Sequence, residues 1–143
     1  MAKGKYAKYV VDKDKPNPKF PPYRAKVDPK FVKRVVQVDA DTVPGAQFYS
    51  ETKWILPGSK TEIKLCESHT HPFGELLGFF GYNYDDIQDL GAEIEITIDG
   101  EKHLVTKSFA AFVPAGIRHG PVIIRNCIRP IFHVSAGPTT HYK

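Results

Sequence analysis

Four residues in this chain have the types and spacing of a metal site. They are His69, His71 and Glu75 in the segment SHTHPFGELLGFFG, and His119 in PAGIRHG. Side chains alternate between faces along an extended strand, so His69 and His71 point the same way and can reach one point. Glu75 follows after Pro72 and Gly74. A tight turn that keeps the strand phase puts its carboxylate on that face too. Pro114 and Gly116 supply a turn before His119, which then opens the next strand. If that strand lies beside the first, a third imidazole joins the cluster. Three neutral imidazoles and one carboxylate suit a single divalent transition metal ion: Fe, Mn, Ni, Co or Zn. Four donors leave positions open on an ion that accepts six, and water, oxygen or substrate can bind there. Shuffling this composition yields both patterns together in roughly one chain in two thousand, which favours a metal site over histidines buried for packing alone.

Other residues are weaker candidates. Arg118 adjoins His119, and Arg125 falls on the His119 face if the strand stays regular. Either guanidinium could hold a substrate carboxylate bidentately, against the plainer expectation of surface ion pairs. His133, on the last strand, is either a packed strand residue or a substrate contact. His103 is expected to be exposed, and His141 to lie in a disordered tail. Phe73, Leu77 and Phe79 share the phase of Glu75, as pocket lining or as core. Tyr82 and Tyr84 open a loop that by position could cover the site. Cys66 and Cys127 are too far apart for a CxxC pair and read as small buried hydrophobes.

The elements that must position these residues are strands. AQFYSETKWIL ends at the turn pair Pro57-Gly58, and TEIKLC follows with alternation. AEIEITI, residues 92–98, alternates strictly, as a half-buried strand does. Asp99-Gly100 then supplies a hairpin turn, with KHLVT returning. FAAFV, VIIR and IRPIFHV complete the series, and Pro130 makes the last strand start late or run along an edge. KFVKRVVQV, residues 30–38, is ambiguous between short helix and strand, its β-branched run leaning to strand. Residues 82–91 interrupt the series as a loop, with room for one helical turn. Many short strands and no long amphipathic helix indicate an all-β sandwich or barrel.

At 143 residues the chain is one domain with an ordinary hydrophobic content. Residues 1–45 read as a basic, Pro-rich arm, 46–136 as the barrel and 137–143 as a tail. Five prolines between residues 16 and 29 forbid a regular helix or central strand there, so the segment is extended over the surface. Residues 1–34 hold eleven Lys and Arg against three Asp, while the remainder is mildly acidic. No nucleic-acid motif accompanies this charge, so a solvated arm, or one packed on a partner subunit, outweighs nucleic-acid binding. No apolar run reaches the ~20 residues of a membrane helix, and no apolar stretch follows the basic start as in a secretory signal. These features point to the cytoplasm and to no membrane partner.

His69-x-His71-x3-Glu75 resembles the ligand part of the first motif of the cupin superfamily, and Pro114-x-Gly116-x2-His119 resembles the second. Glycines usual in these motifs are replaced by Ile63, Tyr82 and Ser108, and a usual asparagine by Ile123, all at turn positions. The resemblance implies an all-β fold: a cupin-like jelly-roll β-barrel (double-stranded β-helix), here behind an extended Pro-rich N-terminal arm. It also implies a metal in the barrel mouth and a homodimer. The implied activities are those of a metal-dependent enzyme (dioxygenase, decarboxylase, isomerase or hydrolase) acting on a small organic acid or aromatic compound. A non-enzymatic small-molecule binding or sensing protein is the alternative.

Overall fold

A computed structural model describes residues 4–143. Two antiparallel sheets pack face to face. The first contains β1 (Val32–Val38), β2 (Tyr49–Ile55), β4 (Glu75–Gly81), β7 (Phe109–Val113) and β9 (Ile131–Gly137), in the order β1-β2-β9-β4-β7. The second contains β3 (Ile63–Cys66), β5 (Asp89–Ile98), β6 (Glu101–Lys107) and β8 (His119–Arg125), in the order β3-β8-β5-β6. The described residues hold one 3-10 turn, Ala7–Tyr9, and no α-helix. The all-β, two-sheet barrel is therefore as expected. No helix among the described residues is long and apolar enough to cross a membrane.

Local chemistry accounts for the strand ends. Asp99 and Gly100 both adopt positive φ, 48° and 77°, which gives the twist a two-residue hairpin needs. Pro130 precedes β9, so β9 starts late and still lies in the middle of its sheet. The ambiguous segment 30–38 is a strand from Val32 onward. Residues 82–88 make successive turns closed by Asp86 N to Asn83 O and Asp89 N to Asp86 O, and β5 begins at Asp89, so the helical turn allowed for there does not form. The inner faces meet through Val32, Ile55, Leu77 and Phe79 on one side and Leu65, Ile94, Ile96 and Ile124 on the other. Each such buried side chain contributes about 1.5–3 kcal/mol.

The arm docks on its own barrel. Ala25 N donates to Leu65 O at 3.1 Å and Glu67 N to Tyr23 O at 2.7 Å, so residues 23–25 cover the open edge of β3. The extended chain stops at residue 31, because β1 lies inside the segment assigned to the arm and pairs with β2. Part of the arm's charge is paired: Lys15 with Asp39 and Asp41, and Arg34 with Asp14 and Glu51. The tail is ordered as well, correcting the expectation for His141. Ala40 N donates to Thr140 O, and His141 Nε2 lies 2.9 Å from Asp41 Oδ1.

Candidate metal centre

The two motifs meet through the backbone. His69 and His119 exchange both main-chain hydrogen bonds, at 2.8 and 2.9 Å, which sets their imidazoles side by side. Gly116 N donates to His71 O at 2.8 Å and ties the second turn to the first segment. Glu75 opens β4 opposite Val113. All four side chains are buried, and one donor atom from each lies within 4.8 Å of the others. His69 Nε2 is 3.0 Å from His71 Nε2, while Glu75 Oε1 is 3.3 Å from His71 Nε2 and 3.2 Å from His119 Nε2.

The opposite ring nitrogens fix the tautomers. Nδ1 of His69 donates to Glu67 O at 2.7 Å, Nδ1 of His119 to Ile117 O at 3.0 Å, and Nδ1 of His71 to Lys143 O at 2.5 Å. Carbonyl oxygens only accept, so each Nδ1 carries the proton and each Nε2 of a neutral ring carries a lone pair. The two lone pairs of His69 and His71 face each other across 3.0 Å. Only a proton or a cation between them relieves the repulsion. Burial pushes the His69 imidazole down to about 4, which disfavours the proton. Glu75 Oε1 lies against the same unprotonated Nε2 atoms of His71 and His119, so oxygen and nitrogen lone pairs also crowd together there, and a shared cation reconciles them. Separations of 3.0–3.3 Å suit adjacent donors that share an ion with bonds of about 2.1 Å. The residues fit a divalent ion.

Aromatic rings close the mouth. Tyr23, from the arm, stacks on His69 with ring centroids 3.7 Å apart, and Tyr142, from the tail, stands 5.0 Å from His71. Burial pushes the Tyr23 hydroxyl up to about 12 and that of Tyr142 higher still, so both stay protonated. Beside the cluster, a cavity of about 40 Å³ is lined by His69, Glu75 and His119 and also by Lys53, Arg24 and His133.

The other sequence candidates divide. His133 does reach the cavity. Its Nδ1 donates to Gly78 O at 2.8 Å, and burial together with the Lys53 charge pushes it down to about 3, so it is neutral. Arg118 is exposed. Arg125 points outward and is held by Glu62, Glu93 and Glu95. The expected strand phase breaks because β8 carries one extra residue between His119 and Val122, opposite Ile98 and Ile96 of β5. Leu77 lines the cavity, Phe79 stacks on His133, and both belong to the core. Tyr82 and Tyr84 are exposed, with Tyr82 packed edge-on against Trp54. His103 is exposed beside Glu101. Both cysteines are free, and burial pushes the Cys66 thiol up to about 11, away from nucleophilic use.

Sequence reasoning missed Tyr23, Arg24, Glu51, Lys53 and Tyr142. Glu51 accepts from Arg24 at 3.0 and 3.2 Å, from Arg34, and from Tyr49 Oη at 2.6 Å. Burial opposes its ionisation, but Lys53, Arg24 and Arg34 hold it well below the usual carboxylate range. The available signal was the period of two from Tyr49 to Ile55, which carries Glu51 and Lys53 inward.

No protein-family model matches the chain, and no curated protein matches it. Solved structures do. Recombinant oxalate oxidase in complex with glycolate is 14% identical over 85% of this chain and 60% of its own, with a TM-score of 0.51. Peruvianin-I, a cysteine peptidase from Thevetia peruviana latex, is 12% identical over 96% of this chain and 76% of its own, at 0.56. A cupin protein from Bacteroides fragilis is 15% identical over 87% of this chain and 93% of its own, at 0.46. The chain spans 53–60% of the length of the oxalate oxidases it matches. The chain has the cupin fold and, in its barrel mouth, a residue group able to hold a metal ion. An oxidase and a peptidase share the fold, so activity must be argued from the site.

Proposed function

We propose that this protein is a metal-dependent enzyme acting on a small organic acid. The observation that carries this reading is the convergence of three Nε2 lone pairs and one carboxylate beside a cavity that Arg24 and Lys53 also line. His69, His71, Glu75 and His119 would hold one divalent ion, which would act as a Lewis acid toward an oxygen of the substrate. The chain's own contribution is positional. The carbonyls of Glu67, Ile117 and Lys143 orient the rings, Tyr23 and Tyr142 exclude water, and Arg24 and Lys53 supply positive charge opposite the ion. Dioxygenase, decarboxylase, isomerase and hydrolase chemistry share such a ligand set, and among them decarboxylation or oxidation of a short acid best suits a cavity this small.

Purification without chelator followed by elemental analysis tests the reading. The expected result is about one transition metal per chain, lost in His71→Ala while the circular dichroism is unchanged. Metal content unaffected by His71→Ala would sink the assignment. For an Fe(II) form, nitric oxide binding supports oxygen chemistry, and a zinc form with no exchangeable position ends the dioxygenase version. A form that binds small acids without turning any over is the sensing protein. A homodimer belongs to this proposal, formed on the outer face of the five-stranded sheet, where Leu76, Phe80 and Phe112 are exposed. Phe112→Glu should then yield a monomer by sedimentation, and an unchanged mass would count against that surface.

A further inference from the structure

Lys53 is the buried charge of the Glu51 cluster that makes no hydrogen bond, its only ion pair being a long one to Glu51. The alternation of β2 carries it into the barrel, where it is 7% exposed and sits directly opposite His133 on β9. Among the described residues its ammonium makes no hydrogen bond, and the nearest carboxylate oxygen, Glu51 Oε2, is 3.8 Å away. That carboxylate is already satisfied by Arg24, Arg34 and Tyr49. His133 is neutral and offers no countercharge. Three cations thus gather around Glu51, and Asp14 answers only Arg34. An ammonium buried in this way is far more costly than one at the surface, unless an anion joins it. Lys53 lines two cavities: a larger one of about 210 Å³ under the arm, shared with Phe20, Arg24 and Arg34, and a small one shared with His69, Glu75 and His119, the one that adjoins the metal ligands. The small cavity's volume of about 40 Å³ holds roughly three water-sized positions, which beside the metal ligands is room for a two-carbon acid and too little for an aromatic one.

We propose that Lys53 is the carboxylate anchor of this site. One end of a short carboxylic acid pairs with its ammonium, and the other end faces the metal ligands. This inference rests on the metal-dependent reading and names its substrate class: acids of acetate or glycolate size.

The test uses the full chain loaded with Co(II), with metal content measured first. Wild type, Lys53→Met and Lys53→Gln are titrated with acetate, glycolate and benzoate by calorimetry and by the visible spectrum of the ion. The expected result is equal metal content in all three proteins and acetate and glycolate binding at least tenfold weaker in both variants. Benzoate should not bind, and the ligand-free variants should melt no lower than wild type, because the removed charge made no hydrogen bond and only a long ion pair. Acetate and glycolate that bind all three proteins within twofold, or none of them with metal present, would overturn the inference alone. Failure of both variants to fold would make the ammonium structural and overturn it too. A wild-type chain that takes up no metal would remove the metal-dependent reading and this inference with it.

Discussion

The barrel contains two buried polar clusters built on opposite plans. In the mouth, three imidazoles and Glu75 come from residues 69–75 and 119, and each ring is oriented by a main-chain carbonyl. On the floor, Glu51 gathers Arg24 from the arm, Arg34 from β1, and Tyr49 and Lys53 from β2. The mouth presents lone pairs and one carboxylate, so a cation completes it. The floor holds more cations than it can pair, so an anion completes it. Both clusters line one small cavity, where the two deficits are complementary. That complementarity, more than either cluster alone, is the basis for the proposed site for an acid beside a metal.

Removing each cluster's carboxylate tests whether they differ in kind. Glu51→Ala strands two guanidiniums and an ammonium in the interior, and losing one partner of a buried ionic network costs about 3–5 kcal/mol. Glu75→Ala, in chelator-treated protein, strands no guanidinium or ammonium, and its cost should be about 1 kcal/mol or less. Urea unfolding of the two metal-free variants should show Glu51→Ala to be the weaker protein. Equal losses would mean that the floor is no more charge-dependent than the mouth.

The same contrast governs what the sequence could reveal. The mouth is legible because its ligands are close in sequence: a strand period brings His69 and His71 together, and a Pro-Gly turn announces His119. The floor is assembled from residues 24, 34, 51 and 53 and from His133, whose meeting depends on tertiary pairing. In β2 the apolar residues support either phase, since Tyr49 and Ile55 lie on one face and Trp54 on the other. A hydrophobic reading naturally turns Trp54 inward. The structure turns it outward, where Tyr82 and Phe132 cover it, and the charged pair goes inside. Arg125 failed for a related reason, because one extra residue in β8 reverses every side chain beyond it.

A smaller effect is the pH dependence carried by the floor. His133 on the floor is held neutral, with its pKa lowered from 6.5 to about 3 by burial and by Lys53. Above pH 6.5 both folded and unfolded chains carry the neutral ring, and it adds no pH dependence. Between pH 6.5 and about 3 only the unfolded chain takes the proton, so stability falls as the pH falls. The slope for one such group is about 1.4 kcal/mol per pH unit, or about 2 kcal/mol by pH 5. His133→Phe, which keeps the stack on Phe79, should flatten the acid side of the metal-free stability profile by one proton. An unchanged slope would show that the floor histidine titrates freely.

The finest distinction lies within the mouth, between two glycines that flank His119's turn. Gly116 and Gly120 both have positive φ, 81° and 96°. A Cβ at Gly116 meets nothing within 4 Å, whereas at Gly120 it would lie 2.6 Å from Glu67 O. That oxygen is the acceptor for His69 Nδ1. Both alanine variants should lose about 1 kcal/mol from backbone strain, with Gly120→Ala losing somewhat more from the contact. Only Gly120→Ala also disturbs the group that orients a ligand, and such perturbations weaken metal affinity by about 10–100-fold. Competition for the ion with a chromogenic chelator should therefore weaken affinity in Gly120→Ala and leave Gly116→Ala near wild type. If the two variants bound metal alike, the Glu67 carbonyl would be a bystander, and the orientation of His69 would have to come from its backbone pairing with His119 alone.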